Sequence, residues 1–148
     1  MTDASLQIDA VDLDVAARLR TAVTRLNRRL RQQALGSVSP AQASTLAMTA
    51  RLGVPTLGEL ARAEQIQPPT MTRVVATMEE SGLLLRCPDE SDRRIVRVKL
   101  TAKGRRELER IRTQKTAYLV ERLAQLDGDD RARAADLVDL LEQLAVPR

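Results

Sequence analysis

The chain has 148 residues, room for one domain, or one domain with an appended dimerisation element, around a modest core. Phe and Trp are absent and Tyr118 is the sole aromatic residue, so the core has to be aliphatic. With no histidine and a single cysteine, most metal sites, the commonest catalytic base and any intrachain disulfide are excluded, and no cofactor or metal is expected.

The formal net charge is +4, but its distribution says more. Residues 1–14 carry four acids and no base, and residues 15–51 carry seven arginines and no acid. Residues 62–115 hold thirteen bases against eight acids, and residues 116–148 four bases against seven acids. A base-rich middle suits a polyanionic partner, or equally a solvated arginine-rich surface. No apolar run approaches the roughly 18 residues of a membrane span. The acidic start lacks the pattern of a signal peptide. A cytoplasmic protein with no membrane partner is expected.

Val15, Leu19, Val23, Leu26 and Leu30 recur at helical spacing, predicting an amphipathic helix from about Asp12 to Gln33 that ends before Gly36. Ser39-Pro40-Ala41-Gln42 is a capping box with proline at the first helical position. It opens a second helix whose apolar face is expected to be Leu46, Ala47 and Ala50, with Met48 beside them. Gly53 stops it. Thr56-Leu57-Gly58-Glu59 is another capping box and opens a short third helix.

Pro68 and Pro69 then turn the chain, since paired prolines begin a helix but do not sit inside one. A fourth helix follows, from about Pro69 to Ser81, with Met71, Val74, Val75 and Met78 as its buried stripe. Thr70, Thr72, Arg73 and Thr77 stay outside that stripe, and Gly82 is the expected left-handed cap. Two short helices joined by a tight turn form a helix-turn-helix, with the second helix as reader.

Leu83 to Arg86 reads as a strand, and so does Arg94 to Leu100, where Val96, Val98 and Leu100 alternate with Arg97 and Lys99. The charged loop CPDESDRR joins them, and the hairpin completes a winged helix. Cys87 is either an ordinary small residue at a strand end or a redox switch, the latter requiring exposure and a low pKa. Thr101 caps a long fifth helix, about Ala102 to Leu126. Asp127-Gly128-Asp129-Asp130 breaks it and starts a sixth, lined by Ala135, Val138, Leu141 and Ala145, with Leu137, Leu140 and Leu144 widening the stripe.

At the wing, Asp92-Arg93-Arg94-Ile95-Val96-Arg97-Val98-Lys99-Leu100-Thr101-Ala102-Lys103-Gly104 resembles the signature of the MarR family of bacterial transcriptional regulators: D-x-R, a Val/Leu strand, then L-T-x-x-G. Thr56 to Ala61, Thr70 to Val75 and Met78 to Leu84 are similar to the helices around it, and the resemblance spans about residues 12 to 145. It implies a mainly α fold with a small β-wing, dimeric through its terminal helices. The implied divisions are a flexible acidic N-terminus (1–11), a dimerisation helix (12–35), a winged helix-turn-helix (36–101) and two further dimerisation helices (102–148).

The resemblance also implies double-stranded DNA with a pseudo-palindromic operator as partner, a homodimer, and repression that a small anionic or phenolic effector, or an oxidant, commonly relieves. Pro68, Pro69, Thr70, Thr72, Arg73 and Thr77 are the candidate reader contacts. Arg73 suits either a bidentate pair with guanine or a phosphate clamp. Asp92, Arg93 and Arg94 are the wing candidates: an arginine enters the minor groove and Asp92 holds an arginine in place. Met48, Arg51 and Tyr118 are candidate effector-lining residues. Oxidant-sensing relatives carry their cysteine near the start of the first helix, where this chain has none. The reading from another class is a helical dimeric module that binds a second regulator instead of DNA. An enzyme is not expected, because no nucleophile–base pair or phosphate-cradling glycine loop is visible.

Overall fold

The computed structural model describes residues 10–34 and 36–146. In chain order the elements are α1 (Ala10–Ala34), α2 (Pro40–Leu52), α3 (Leu57–Ala63), α4 (Pro68–Glu80), β1 (Leu84–Pro88), β2 (Val96–Leu100), α5 (Ala102–Ala124) and α6 (Gly128–Ala145). This is the mainly helical, small-winged architecture expected. Helix α1 starts two residues before Asp12; the rest of the expected loose N-terminus lies outside the described residues.

Local chemistry explains the boundaries. Ser39 and Thr56 each make a complete capping box, with Gln42 and Glu59 as the reciprocal residues. Helix α4 ends as a Schellman turn: the Leu83 amide donates to Met78 O (2.8 Å) and the Gly82 amide to Glu79 O (2.9 Å), with Gly82 at φ 72°. The two strands pair antiparallel from Leu84↔Leu100 to Pro88↔Val96. The first strand therefore starts one residue later and runs two residues further, to Pro88, than the apolar pattern suggests, and the second starts at Val96 instead of Arg94.

The core sits inside the winged lobe. Leu46, Leu60, Met71, Val75, Met78, Leu84 and Val98 are buried, and Leu108 and Ile111 of α5 close it. Two expectations need correcting. Helix α2 buries Ala43, Thr45, Leu46 and Thr49, whereas Ala47 and Ala50 are exposed. The Thr49 hydroxyl donates to Thr45 O (2.7 Å), so a threonine can occupy the core with its polar group satisfied. On β2 only Val98 is fully buried; Val96 is 41% exposed, because it pairs with Pro88 at the end of the hairpin beyond the core.

The motif after the wing is a structural knot. The Thr101 amide donates to Leu83 O, and its hydroxyl lies 2.6 Å from Gly82 O. That same hydroxyl oxygen accepts from the Gly104 amide and caps α5. Lys103 Nζ donates to Ser81 O (2.7 Å) at the C-terminal end of α4, where a cation is favoured. A β-carbon on Gly104 would lie 2.1 Å from Leu83 O. Gly104→Ala must therefore part α5 from the turn, and we expect it to cost about 2–3 kcal/mol in urea unfolding. Gly128→Ala, where a β-carbon meets nothing within 4 Å, serves as the control and should be neutral or mildly stabilising.

Candidate nucleic-acid interface

Helix α4 turns Met71, Val75 and Met78 into the core, which leaves Pro69, Arg73, Ala76 and Glu80 around the opposite side. Pro68 and Pro69 occupy the first turn, where no amide donor is missed. Thr70 and Thr77 share one flank with Arg73. Together with Ser39, Gln42 and Val74 they line a groove of about 430 Å³. Thr72 lies on the other flank and is not part of that groove. The hydroxyls of Thr72 and Thr77 donate back to Pro68 O (3.0 Å) and Arg73 O (3.1 Å), so outward they present acceptor lone pairs. Among the described residues the Arg73 guanidinium and the Thr70 hydroxyl have no protein partner.

The wing is braced at two levels. At its tip, Arg94 Nε and Nη2 each lie 3.0 Å from an oxygen of Asp92, a bidentate pair, and the Arg94 amide donates to the same carboxylate. The Arg94 side chain that grips Asp92 lowers the acid's pKa, and the carboxylate in turn raises that of the guanidinium. Arg94 is still 91% exposed, so the pair aims a cation outward without hiding it. Arg93 is exposed beside it.

Below the tip, Asp89 is buried and gathers the loop. Its Oδ1 accepts from the Ser91 hydroxyl and amide and from the Asp92 amide (3.0 Å), and its Oδ2 from Arg97 Nε. The Ser91 hydroxyl, then Arg97, then the backbone amides hold this carboxyl far below the ordinary carboxylate range. Arg97 also reaches Val54 O (2.9 Å) and lies 3.8 Å from Glu59, while the Val98 amide donates to Pro55 O. The wing is thereby tied to the link before α3.

The pattern of alternation places Arg97 on an outward basic face. The structure instead makes it a half-buried clamp, because Asp89 lies eight residues back in sequence and close to it in space. Gln67 is a second residue that sequence reasoning passed over. It caps α4 with no side-chain hydrogen bond, so its amide remains available at the start of the reader. A glutamine where Ser, Thr, Asp or Asn is preferred was the signal.

The three effector candidates are not assembled into one site by the contacts seen. Met48 packs partly against the core and Arg51 Nη2 approaches its sulfur at 3.0 Å. Tyr118, half-buried on α5, has Arg122 5.3 Å above its ring. A groove of about 510 Å³ runs instead between the end of α2, β2 and α5, lined by Lys99, Arg105, Arg112 and Glu109 around Leu100 and Leu108. Cys87 is half-buried in the wing beside another groove shared with Arg97 and Lys99.

Since Asp89 is held below its ordinary value of 3.8, its contribution is fully present above that value and is lost only as pH falls through the lower folded value. The wing should therefore not loosen on this account between about pH 5 and 8. Asp89→Asn removes the charge that holds Arg97. At neutral pH we expect faster hydrogen exchange at the Ser91 and Asp92 amides, and unchanged exchange there would refute the clamp.

Residues 38–96 match the MarR family. An uncharacterised HTH-type transcriptional regulator of Mycobacterium leprae is 37% identical over 134 residues, covering 90% of this chain and 94% of its own. The structure of a MarR family protein from Bacillus stearothermophilus superposes with a TM-score of 0.75 at 26% identity, over 88% of this chain and 92% of that one. A mutant of MepR from S. aureus, bound to an oligodeoxyribonucleotide, shares the fold at 21% identity and a TM-score of 0.68, over 88% of this chain and 97% of that one. The helix-turn-helix, the braced wing and these likenesses agree: this chain belongs to the MarR family of DNA-binding transcriptional regulators.

Proposed function

We propose that the protein is a homodimeric repressor in the cytoplasm. It seats α4 of each protomer in the major groove of one half of a pseudo-palindromic operator, while each wing sends Arg93 and Arg94 to the flanking minor groove. The observation that carries this reading is the pairing of an unpartnered, exposed Arg73 on the reader with a wing arginine held outward by Asp92. Phosphates fix register and base edges give specificity, and a narrow minor groove concentrates negative potential for an arginine. Repression then follows from occupancy of promoter DNA.

Dimerisation is supported by α6. None of its residues is buried within the protomer, and Leu137, Val138, Leu140 and Leu144 are 46–62% exposed. Leu13, Val15, Val23 and Leu26 of α1 and Val120 and Leu123 of α5 are exposed as well. So much apolar surface on three helices suits a second copy. For release, the groove rimmed by Lys99, Arg105 and Arg112 between α5 and the wing suits a small anion with an apolar body better than Met48, Arg51 and Tyr118 do.

Arg73→Ala and Arg94→Ala should each weaken binding to the DNA flanking the gene by about 10- to 100-fold in a gel shift, with the dimer intact. Undiminished binding by both variants would remove the reader and the wing from the interface. In sedimentation velocity, Leu140→Asp should shift the protein towards monomer and weaken operator binding with it. A stable dimer of full affinity would move the interface away from α6.

A further inference from the structure

Beyond the reader and the wing, the groove between α2 and α4 has the chemistry of a receptor for an anion. Its side chains are Ser39, Gln42, Thr70, Arg73, Val74 and Thr77, and no carboxylate is among them. The capping box decides which of its polar atoms remain free. The Ser39 amide donates to Gln42 Oε1 (2.8 Å), and the Gln42 amide donates to Ser39 Oγ (3.2 Å). Both side chains have therefore committed an acceptor to the backbone. What they have left is the Gln42 Nε2 amide, with two N–H donors, and the Ser39 hydroxyl proton. Because Oε1 is tied to the backbone, the amide cannot turn over without giving up the cap.

Opposite them, the Thr70 hydroxyl and the Arg73 guanidinium have no partner among the described residues. The groove thus offers donors from two helices and no negative charge. A ligand that supplies several acceptors, no donor and a negative charge satisfies it, and a phosphodiester has that composition. The groove also shares Thr70, Arg73 and Thr77 with the exposed side of the reader, so DNA lying against α4 brings its backbone to this place.

We propose that Gln42 of α2 and its cap Ser39, with Thr70 and Arg73 of α4, clamp a backbone phosphate of the bound DNA. Gln42 is then a DNA-contacting residue outside the helix-turn-helix reader. This assigns Arg73 to the phosphate side of its two readings, leaving base contact to neighbours such as Gln67 and Pro69. The proposal rests on the reading of α4 as the DNA-facing helix. It adds a contact that carries no sequence information and fixes how the reader lies in the groove.

Two substitutions of opposite sign test it. Gln42→Glu keeps an oxygen for the Ser39 amide, so the start of α2 is preserved, but replaces the free donor with a charged acceptor. Gln42→Lys gives up the cap and adds a cation at the clamp. Ala47→Glu and Ala47→Lys, on an exposed position of the same helix that does not line the groove, control for charge alone. Binding is measured by fluorescence anisotropy to the operator duplex and to an unrelated duplex across a salt series.

Gln42→Glu should weaken both complexes by the same factor, about 10-fold, and by more than Ala47→Glu does. Gln42→Lys should tighten both and steepen the slope of log K against log salt by about 0.9, a gain that a misfolded variant cannot imitate. Equal effects at positions 42 and 47, or a Gln42→Lys variant that binds no tighter, would overturn the clamp. If Arg73→Ala and Arg94→Ala weaken binding while the position-42 variants do not, only the clamp falls. If none of these variants affects binding, the reading of α4 falls with it.

Discussion

The carbonyls of Gly82 and Leu83 are where reader, wing and long helix meet. Helix α4 ends there in its Schellman turn, β1 begins at the next residue, and the amide and hydroxyl of Thr101 close on the same two carbonyls from the end of β2. Helix α5 can start at that point only because Gly104 has no β-carbon to strike Leu83 O. Three orientations are therefore set by a few atoms: the axis of the reader, the plane of the hairpin and the direction of the helix that leaves the lobe. Arg110 extends the arrangement, since it pairs with Glu107 on α5 and donates to Ala34 O at the end of α1.

A second set of contacts keeps the hairpin from pivoting about that knot. A two-stranded ribbon alone is marginal in water. Here the buried Asp89 organises the turn through the Ser91 and Asp92 amides, and through Arg97 it reaches Val54 O and the neighbourhood of Glu59. The Val98–Pro55 hydrogen bond and the bridge between Thr56 and Arg97 make the chain before α3 a short third partner to the sheet. Several contacts thus brace the wing to the lobe that carries the reader, as the proposed reading of a major and a minor groove at fixed separation needs.

Much of this was legible in the sequence, and the reasons are local. Capping boxes, paired prolines and the glycine after Ser81 are short-range signals that act within a few residues, so the helix starts at Pro40 and Leu57 and the stop after α4 read correctly. The Asp92–Arg94 pair is also local, two residues apart. What did not read is what depends on distance along the chain. Arg97 looks like a solvent-facing strand residue until Asp89 and Val54 are brought to it. Thr45 and Thr49 look polar until their place in the core and the back-bonded Thr49 hydroxyl are seen. Met48, Arg51 and Tyr118 came from the resemblance to effector-binding relatives, and among the described residues no hydrogen bond or ring contact joins Tyr118 to the other two.

The arginines of the winged lobe differ in whether an acid already occupies them. Arg86 faces Glu79, Arg97 is held by Asp89, and Arg94 is gripped by Asp92. Arg73 has no acidic partner among the described residues. A tethered arginine loses less freedom when it binds, because its rotamer is already chosen, whereas an untethered one retains the reach to follow a phosphate. On the proposed reading, the surface combines an arginine held by Asp92 on the wing with an untethered Arg73 on the helix. The net charge of +4 says little about this division, because cations matched by acids in the folded lobe count the same in the sum as those left free. What suits this surface to a duplex is where its unmatched donors lie: along one flank of α4, at the mouth of the α2 groove and at the tip of the wing.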